Sequence, residues 1–386
     1  MKKFFTLALS ALVMAGLSTS CSDSDNGEDV NSASQKEEAL AKAADHYVNR
    51  TVLPTYKGMA DAAIELDKHC RTILAHHSAG TLTTSDISNA AEAWKESRRY
   101  WELSEAFLFG PAADHNIDPH IDSWPLDKTG MDITLDAIRK GADYTLDLNL
   151  GYGLLGFHSI EYMLFELSAD GRSSRLHSLD YTPEELKYLC LVAEDLRNQC
   201  VCLEACWAGT ENVSAEKQQI LEEADLDKGK NHGDMMVNAG KAGSIYKTYQ
   251  QVAEEIIQGC IDIADEVGNT KIGRPANAST DEDKNYIESP YSLNSIEDFV
   301  DNIRSIRNSY CGSNNGDASI SDYVRSRNAE LDTRMRKAID DAITAIQAIP
   351  EPFALNATGA ASKNAVTVVG TDLVKVLQEV NSEILK

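Results

Sequence analysis

The sequence predicts an all-α protein, two helical bundles in tandem. Three observations carry this. Nearly every long segment repeats its apolar residues with a helical period, and none alternates apolar with polar residues as a half-buried strand would. The periodic stretches are also bounded by helix starts and stops, such as the capping box Thr182-Pro183-Glu184-Glu185. The 386 residues, 42% of them hydrophobic, suffice for about two domains and a sizeable core. The bundles are expected over 35–210 and 211–386, each of about four long helices, with Gly209 and Thr210 at the boundary.

The chain begins with an address. Lys2 and Lys3 precede an apolar run over 4–17 and the small residues Ser18, Thr19 and Ser20, so residues 1–20 read as a signal peptide. The cysteine that follows resembles a bacterial lipoprotein cleavage site, although Ser18 stands where leucine is usual. That resemblance implies lipidation of Cys21 and a membrane anchor. Residues 21–34 read as a flexible acidic tether. Its 22–29 stretch resembles the export signal of surface-exposed lipoproteins in Bacteroidetes. The expected location is the cell envelope, lipid-anchored to the outer membrane and facing outward.

The first stripe is Leu40, Ala43, Ala44, Tyr47, Val48 and Val52. It resumes as Tyr56, Met59, Ala60, Ala63 and Ile64, and Pro54 is expected to kink or break it. A second helix is expected over 87–109, stopped by Gly110 and Pro111. Its inward face carries Trp94, Arg98, Trp101 and Glu105. A lone buried charge costs several kcal/mol, so Arg98 is expected to pair with Glu102 one turn on, leaving Glu105 to face something else. Residues 111–150 read as a long loop with one short helix near 132–140. A central helix follows over 155–167, then a seam of Leu186, Leu189, Ala193, Leu196, Cys200, Leu203 and Trp207. In the second half, stripes start at Ile245, Ile296, Ile320 and Val366. The seven cysteines after Cys21, including Cys200-x-Cys202-x3-Cys206, lack zinc-finger spacing and read as small buried hydrophobes.

Formal charge is −25 and the pI about 4.7, which disfavours nucleic-acid binding and electrostatic docking on anionic lipid. Gly151-x-Gly153-x-x-Gly156 matches the dinucleotide fingerprint in letters, but no βαβ context surrounds it. The glycines serve better to let the backbone approach a neighbour closely. His158 and Glu161 follow at a spacing of three, which puts imidazole and carboxylate on one helix face. Both are ligand types for zinc and iron.

Several ordered blocks together resemble the imelysin-like family. They are Trp94-x3-Arg98-x2-Trp101-x3-Glu105, the Gly110-Pro111 stop, Asp118, and Trp124-Pro125. Next come Gly156-Phe-His158-x-x-Glu161, Lys271-Ile-Gly273-Arg-Pro275, and Glu288-Ser289-Pro-Tyr-Ser292. The resemblance runs from about Gln35 to the C-terminus. It implies an exported two-domain helical protein tied to iron uptake, with its site near the domain interface around His158 and Glu161. The family was named for a metallopeptidase, with H-x-x-E taken as its zinc motif. We expect a metal ion, iron or zinc, or an iron chelate to meet His158, Glu161, Glu105 and Asp118. Arg98, Trp101, Trp124, Gly156, Glu288 and Ser289 are expected to line the pocket. His115 and His120 are alternative third ligands. A zinc peptidase is the second reading, and no residue stands out as its general base. A surface interaction protein without a metal site is the third.

Overall fold

Wide helical turns set into long apolar stripes position the functional site. The computed structural model describes residues 26–142, 151–166, 178–226, 229–312 and 318–386. Cys21 and the signal peptide lie outside these residues, as does the stop expected at Asp170-Gly171. Helix α1 (Asn26–Tyr47) begins within the segment expected as tether. Residues 37–386 form one contact unit. Helices make up this unit, and no strand occurs among the described residues.

Pro54 does not break the first stripe. A π-helical turn at Val48–Val52 leads directly into α2 (Leu53–Ala79), with Pro54 in its first turn. Proline is tolerated there because the first amides of a helix have no partner within it. Helix α3 (Thr84–Glu102) opens on a capping box between Thr83 and Asp86. It stops seven residues short of the expected end and gives way to a 3₁₀ turn, Glu105–Phe107. The long loop expected next contains the expected short helix, α6 (Lys128–Arg139), which starts four residues early, and two further helices, α4 (Pro111–Asp114) and α5 (Ile117–Asp122). Buried Ile117, Ile121, Met131, Leu135 and Ile138 hold them to the core. Helix α7 (Gly156–Phe165) carries the H-x-x-E pair, and α8 (Pro183–Ala208) buries the whole seam from Leu186 to Trp207. Helix α2 packs on α3 and α8, and α7 on α3 and α8. The seven described cysteines are all buried.

Short helices α9 (Ala215–Glu223) and α10 (His232–Val237) lead to α11 (Tyr249–Asp265). Its start is capped by Thr248, so Ile245 falls outside the helix and is 64% exposed rather than part of the stripe. A second π-helical turn, Glu266–Lys271, precedes α12 (Gly273–Ala276) and α13 (Asp281–Lys284). Then come α14 (Ser295–Cys311), α15 (Ile320–Arg327), α16 (Ala329–Gln347), α17 (Phe353–Asn356), α18 (Ala360–Thr367) and α19 (Val374–Leu385). A third π turn, Val368–Leu373, joins α18 to α19. Helix α11 packs on α14 and α19, and α14 on α16. The first half meets the second where α3 lies on α14, and where the 3₁₀ turn lies on α11 and α14.

The π turns at 266–271 and 368–373 touch through Gly268 and Gly370, and a β-carbon on Gly268 would overlap the Gly370 backbone. Gly268→Ala is therefore expected to destabilise the protein by about 1–3 kcal/mol, the range for overpacking a filled contact. A urea unfolding midpoint that does not move would refute this.

Candidate functional site

Seven segments deliver the site. Helix α3 presents Arg98, Trp101 and Glu102 on one face at spacings of three and four. The 3₁₀ turn presents Glu105, α5 presents Asp118 and Asp122, and α7 presents His158 and Glu161. The π turn at 266–271 presents Glu266 and Lys271. The segment before α14 supplies Glu288, Ser289 and Ser292, and α14 itself Asp298 and Asn302. Gly156 opens α7 at φ +71°. A β-carbon there would overlap the Ile121 carbonyl, so glycine allows α5 and α7 to bring Asp122 and His158 together.

Arg98 is wholly buried, and its guanidinium meets four carboxylates. Glu102 lies at 2.5 Å, Glu288 at 2.6 Å and Asp298 at 3.6 Å, and Asp122 pairs with Nη1. The expected Arg98–Glu102 pair is therefore present. Glu105 faces Lys271, whose Nζ lies 3.2 Å from Glu105 Oε1, 3.1 Å from Glu288 Oε1 and 3.7 Å from Glu102 Oε2. Asn302 adds a 2.5 Å hydrogen bond to Glu102, and Trp101 Nε1 donates to Asp122 at 2.8 Å. Ser289 donates to Asp298, which also accepts from Asn294 at 2.6 Å.

His158 is buried between two carboxylates. Its Nδ1 lies 3.3 Å from Glu161 Oε2 and its Nε2 3.1 Å from Asp122 Oδ1, the latter an ion-pair approach rather than an aligned hydrogen bond. The Trp124 ring packs on the imidazole at 4.5 Å. Glu161 Oε1 accepts from the Tyr291 amide (3.0 Å), the Ser292 amide (2.8 Å) and the Ser292 hydroxyl (2.8 Å). Both oxygens of Glu161 are thus engaged.

A cavity of about 190 Å³ opens beside this network. Glu105, Asp118, Asp122, Glu266 and Glu288 line it, with Lys271, Trp124 and Tyr286. Burial penalises charge throughout. It lifts Glu102 and Glu105 well above the usual carboxylate range, and Asp118 and Asp298 to about 6. Asp122 goes the other way: burial would raise it, but Arg98 and His158 hold it well below the usual range. Burial would lower His158, but Asp122 and Glu161 outweigh it and lift the imidazole to about 9. His158 is therefore an imidazolium at neutral pH.

Of the residues expected at the site, His158 and Glu161 meet each other. Glu105, Asp118, Trp124 and Glu288 line the cavity, while Arg98, Trp101 and Ser289 brace it from behind. His158 meets Asp122 rather than Glu105 or Asp118. His120 lies 3.3 Å from Asp195 instead, and His115 is exposed. Asp122, Lys271, Glu266 and Asp298 were not singled out. A signal existed for Asp122, which sits one turn after Asp118.

Three sets of side chains could hold an ion, each with its ligand atoms within 4.8 Å of one another. They are Asp122–His158–Glu288, Glu102–Glu288–Asp298 and Glu102–Glu105–Asp122. Oxygen donors dominate, which suits hard or borderline cations. His158 would have to release a proton to join them.

The fold and these blocks define a helical protein of the imelysin class. The imelysin family model matches residues 52–380, and the chain belongs to that family. It is 26% identical over 342 residues to iron-regulated protein A of Synechococcus elongatus, covering 88% of this chain and 84% of that one. A crystal structure of a putative iron-regulated protein A precursor from Parabacteroides distasonis superposes with a TM-score of 0.76 at 29% identity. It covers 90% of this chain and 95% of that one. An imelysin-like protein from Psychrobacter arcticum shares the fold, with a TM-score of 0.58 at 14% identity over 91% of this chain and 94% of that one.

The His158 environment has a consequence for pH. Its folded pKa lies above the ordinary 6.5, so the stability it contributes is complete below about 6.5 and is lost as pH rises through about 9. Stability in metal-free buffer is expected to fall between pH 7.5 and 9.5, with up to about 3 kcal/mol due to His158. His158→Gln should flatten that part of the profile. Buried thiols act in the same direction in both proteins, so the difference between the two urea titrations isolates the imidazole. Parallel profiles would refute the assignment.

Proposed function

We propose that this protein binds a metal ion or an iron chelate in iron acquisition, at the cavity between the 105–107 turn, α5, the 266–271 turn and the segment before α14. One observation carries the reading. Three overlapping ligand sets share Glu102, Asp122 and Glu288 beside a cavity with further carboxylates. The relatives named iron-regulated protein A support the iron connection. Iron or zinc would suit the donors, with His158, Asp122 and Glu288 as one set and the Glu102 carboxylate shared by the other two.

A zinc peptidase is the weaker reading. Such an enzyme needs a general base beside its metal ligands, and neither member of the H-x-x-E pair is free to serve as one. Glu161 is committed on both oxygens, and His158 holds its proton between two carboxylates. The same proposal puts the protein in the cell envelope, with Cys21 lipidated in the outer membrane and 35–210 and 211–386 as its two helical bundles.

Calorimetry on chelator-stripped protein tests the site. Anaerobic ferrous iron, zinc and ferric citrate are titrated separately. Binding of at least one is expected, weakened about tenfold or more by Glu288→Gln and by His158→Ala, each of which removes a first-sphere donor. No heat with any of the three would sink the reading. For the anchor, labelled fatty acid should enter the wild type and be absent from Cys21→Ala. Equal label in both would refute lipidation at Cys21.

A further inference from the structure

Arg98 and Lys271, two of the buried cations of the site, are built for different work. Arg98 sits behind the carboxylates with no exposed surface, and it does not line the cavity. Its planar fork is fixed by partners on three sides. Lys271 does line the cavity, and its Nζ lies among oxygens of Glu102, Glu105 and Glu288, which come from three separate segments. Two of these, Glu102 and Glu105, belong with Asp122 to one ligand set, and Glu102 and Glu288 belong to another. The ammonium therefore stands where those sets would hold an ion.

We propose that Lys271 is a tethered counter-ion, which occupies the place of the cation the cavity takes up and is driven out of it on binding. This rests on the metal-binding reading above and narrows it: the ligand is a bare divalent or trivalent cation, not an anionic chelate. An ion bound by carboxylates sits about 2.0–2.6 Å from their oxygens. An ammonium 3.1–3.7 Å from the same oxygens cannot share that space and repels the incoming charge. The lysine has somewhere to go. Its four-carbon stem is flexible, and Glu266 and Asp118, which line the same cavity and already feel its charge, offer it other carboxylates. Exchange of one cation for another keeps the buried acids compensated in both states, so neither the empty nor the loaded protein carries an uncompensated cluster. It also lowers affinity by a fixed competition, which suits a protein that must release its cargo.

The test compares full-length wild type with Lys271→Met, Lys271→Gln and Lys271→Arg. The probe is manganese(II), a hard divalent ion read by electron paramagnetic resonance, with ferric citrate in parallel by calorimetry. Removing the competing charge is expected to tighten manganese binding about tenfold or more in Lys271→Met. Lys271→Gln should do the same, and it serves where the methionine variant fails to fold. Lys271→Arg, which keeps the charge, should not tighten it. Thermal unfolding should show a larger manganese-induced rise in Tm for the neutral variants than for wild type. Equal or weaker manganese binding in both neutral variants, with wild type binding, would overturn the counter-ion role and leave the cation site standing. Ferric citrate binding by wild type that vanishes in the neutral variants would also overturn it, since Lys271 would then anchor an anion. Absence of manganese, iron and zinc binding from wild type and every variant would remove the metal-binding reading itself.

Discussion

The structure depends on one buried guanidinium. Arg98 has no exposure, yet it draws carboxylates from its own helix α3, from α5, from the segment before α14 and from α14. An ionised arginine in a dry interior is tolerable only when its donors are met by well-placed acceptors. Its partners lie 4, 24 and 190 residues away for Glu102, Asp122 and Glu288. Satisfying one side chain therefore couples segments from both halves of the chain. The hydrophobic core gives the helices their packing, and this ion network joins polar segments that lie far apart in the chain.

Arg98 alone cannot balance what it gathers. Glu102, Asp122, Glu288 and Asp298 surround it, with Glu105 and Glu161 close by. The chain answers in three ways. Lys271 and His158 add positive charge, amides and hydroxyls from Tyr291, Ser292, Asn294 and Asn302 donate hydrogen bonds, and burial raises the proton affinity of Glu102, Glu105 and Asp298. These answers differ in how easily they reverse. Arg98 stays charged at any accessible pH and cannot leave. Burial makes Glu105 and Asp118 bind protons more readily than exposed acids, and the ammonium of Lys271 sits on a flexible stem. The cavity wall holds Lys271, whereas Arg98 stands behind it.

Local patterns made much of this legible in the sequence. The apolar period gave the long helices because one face of each must be buried. The pairs His158–Glu161 and Arg98–Glu102 were readable because helical spacing of three or four guarantees proximity. Asp298 was not, because nothing within its own segment tells an acid facing a buried arginine from one facing water, and the signals at Asp122 and Lys271 did not say what those residues face. The π turns were also hidden. Each adds a residue to a turn without changing which residue types lie on the apolar face, so Pro54 read as a break where Val48–Val52 absorbs it. The stretch 111–122 read as loop because α4 and α5 are short and rich in proline and aspartate, and their packing comes from a few isolated apolar anchors such as Ala112, Ile117 and Ile121.

The H-x-x-E signature gains a more definite meaning from this arrangement. Read as two ligands, it leaves Glu161 facing an ion. In the structure Glu161 spends one oxygen on His158 and the other on three donors of residues 291 and 292. Those residues continue the segment that begins with Glu288, the acid shared by Arg98 and Lys271. The signature therefore ties α7 to the segment that delivers Glu288 to the cavity. A glutamine in place of Glu161 would keep one acceptor but lose the charge that holds His158 protonated and the two amides in line. The pair links Asp122, which His158 meets, to the segment that carries Glu288, which Glu161 holds through Tyr291 and Ser292.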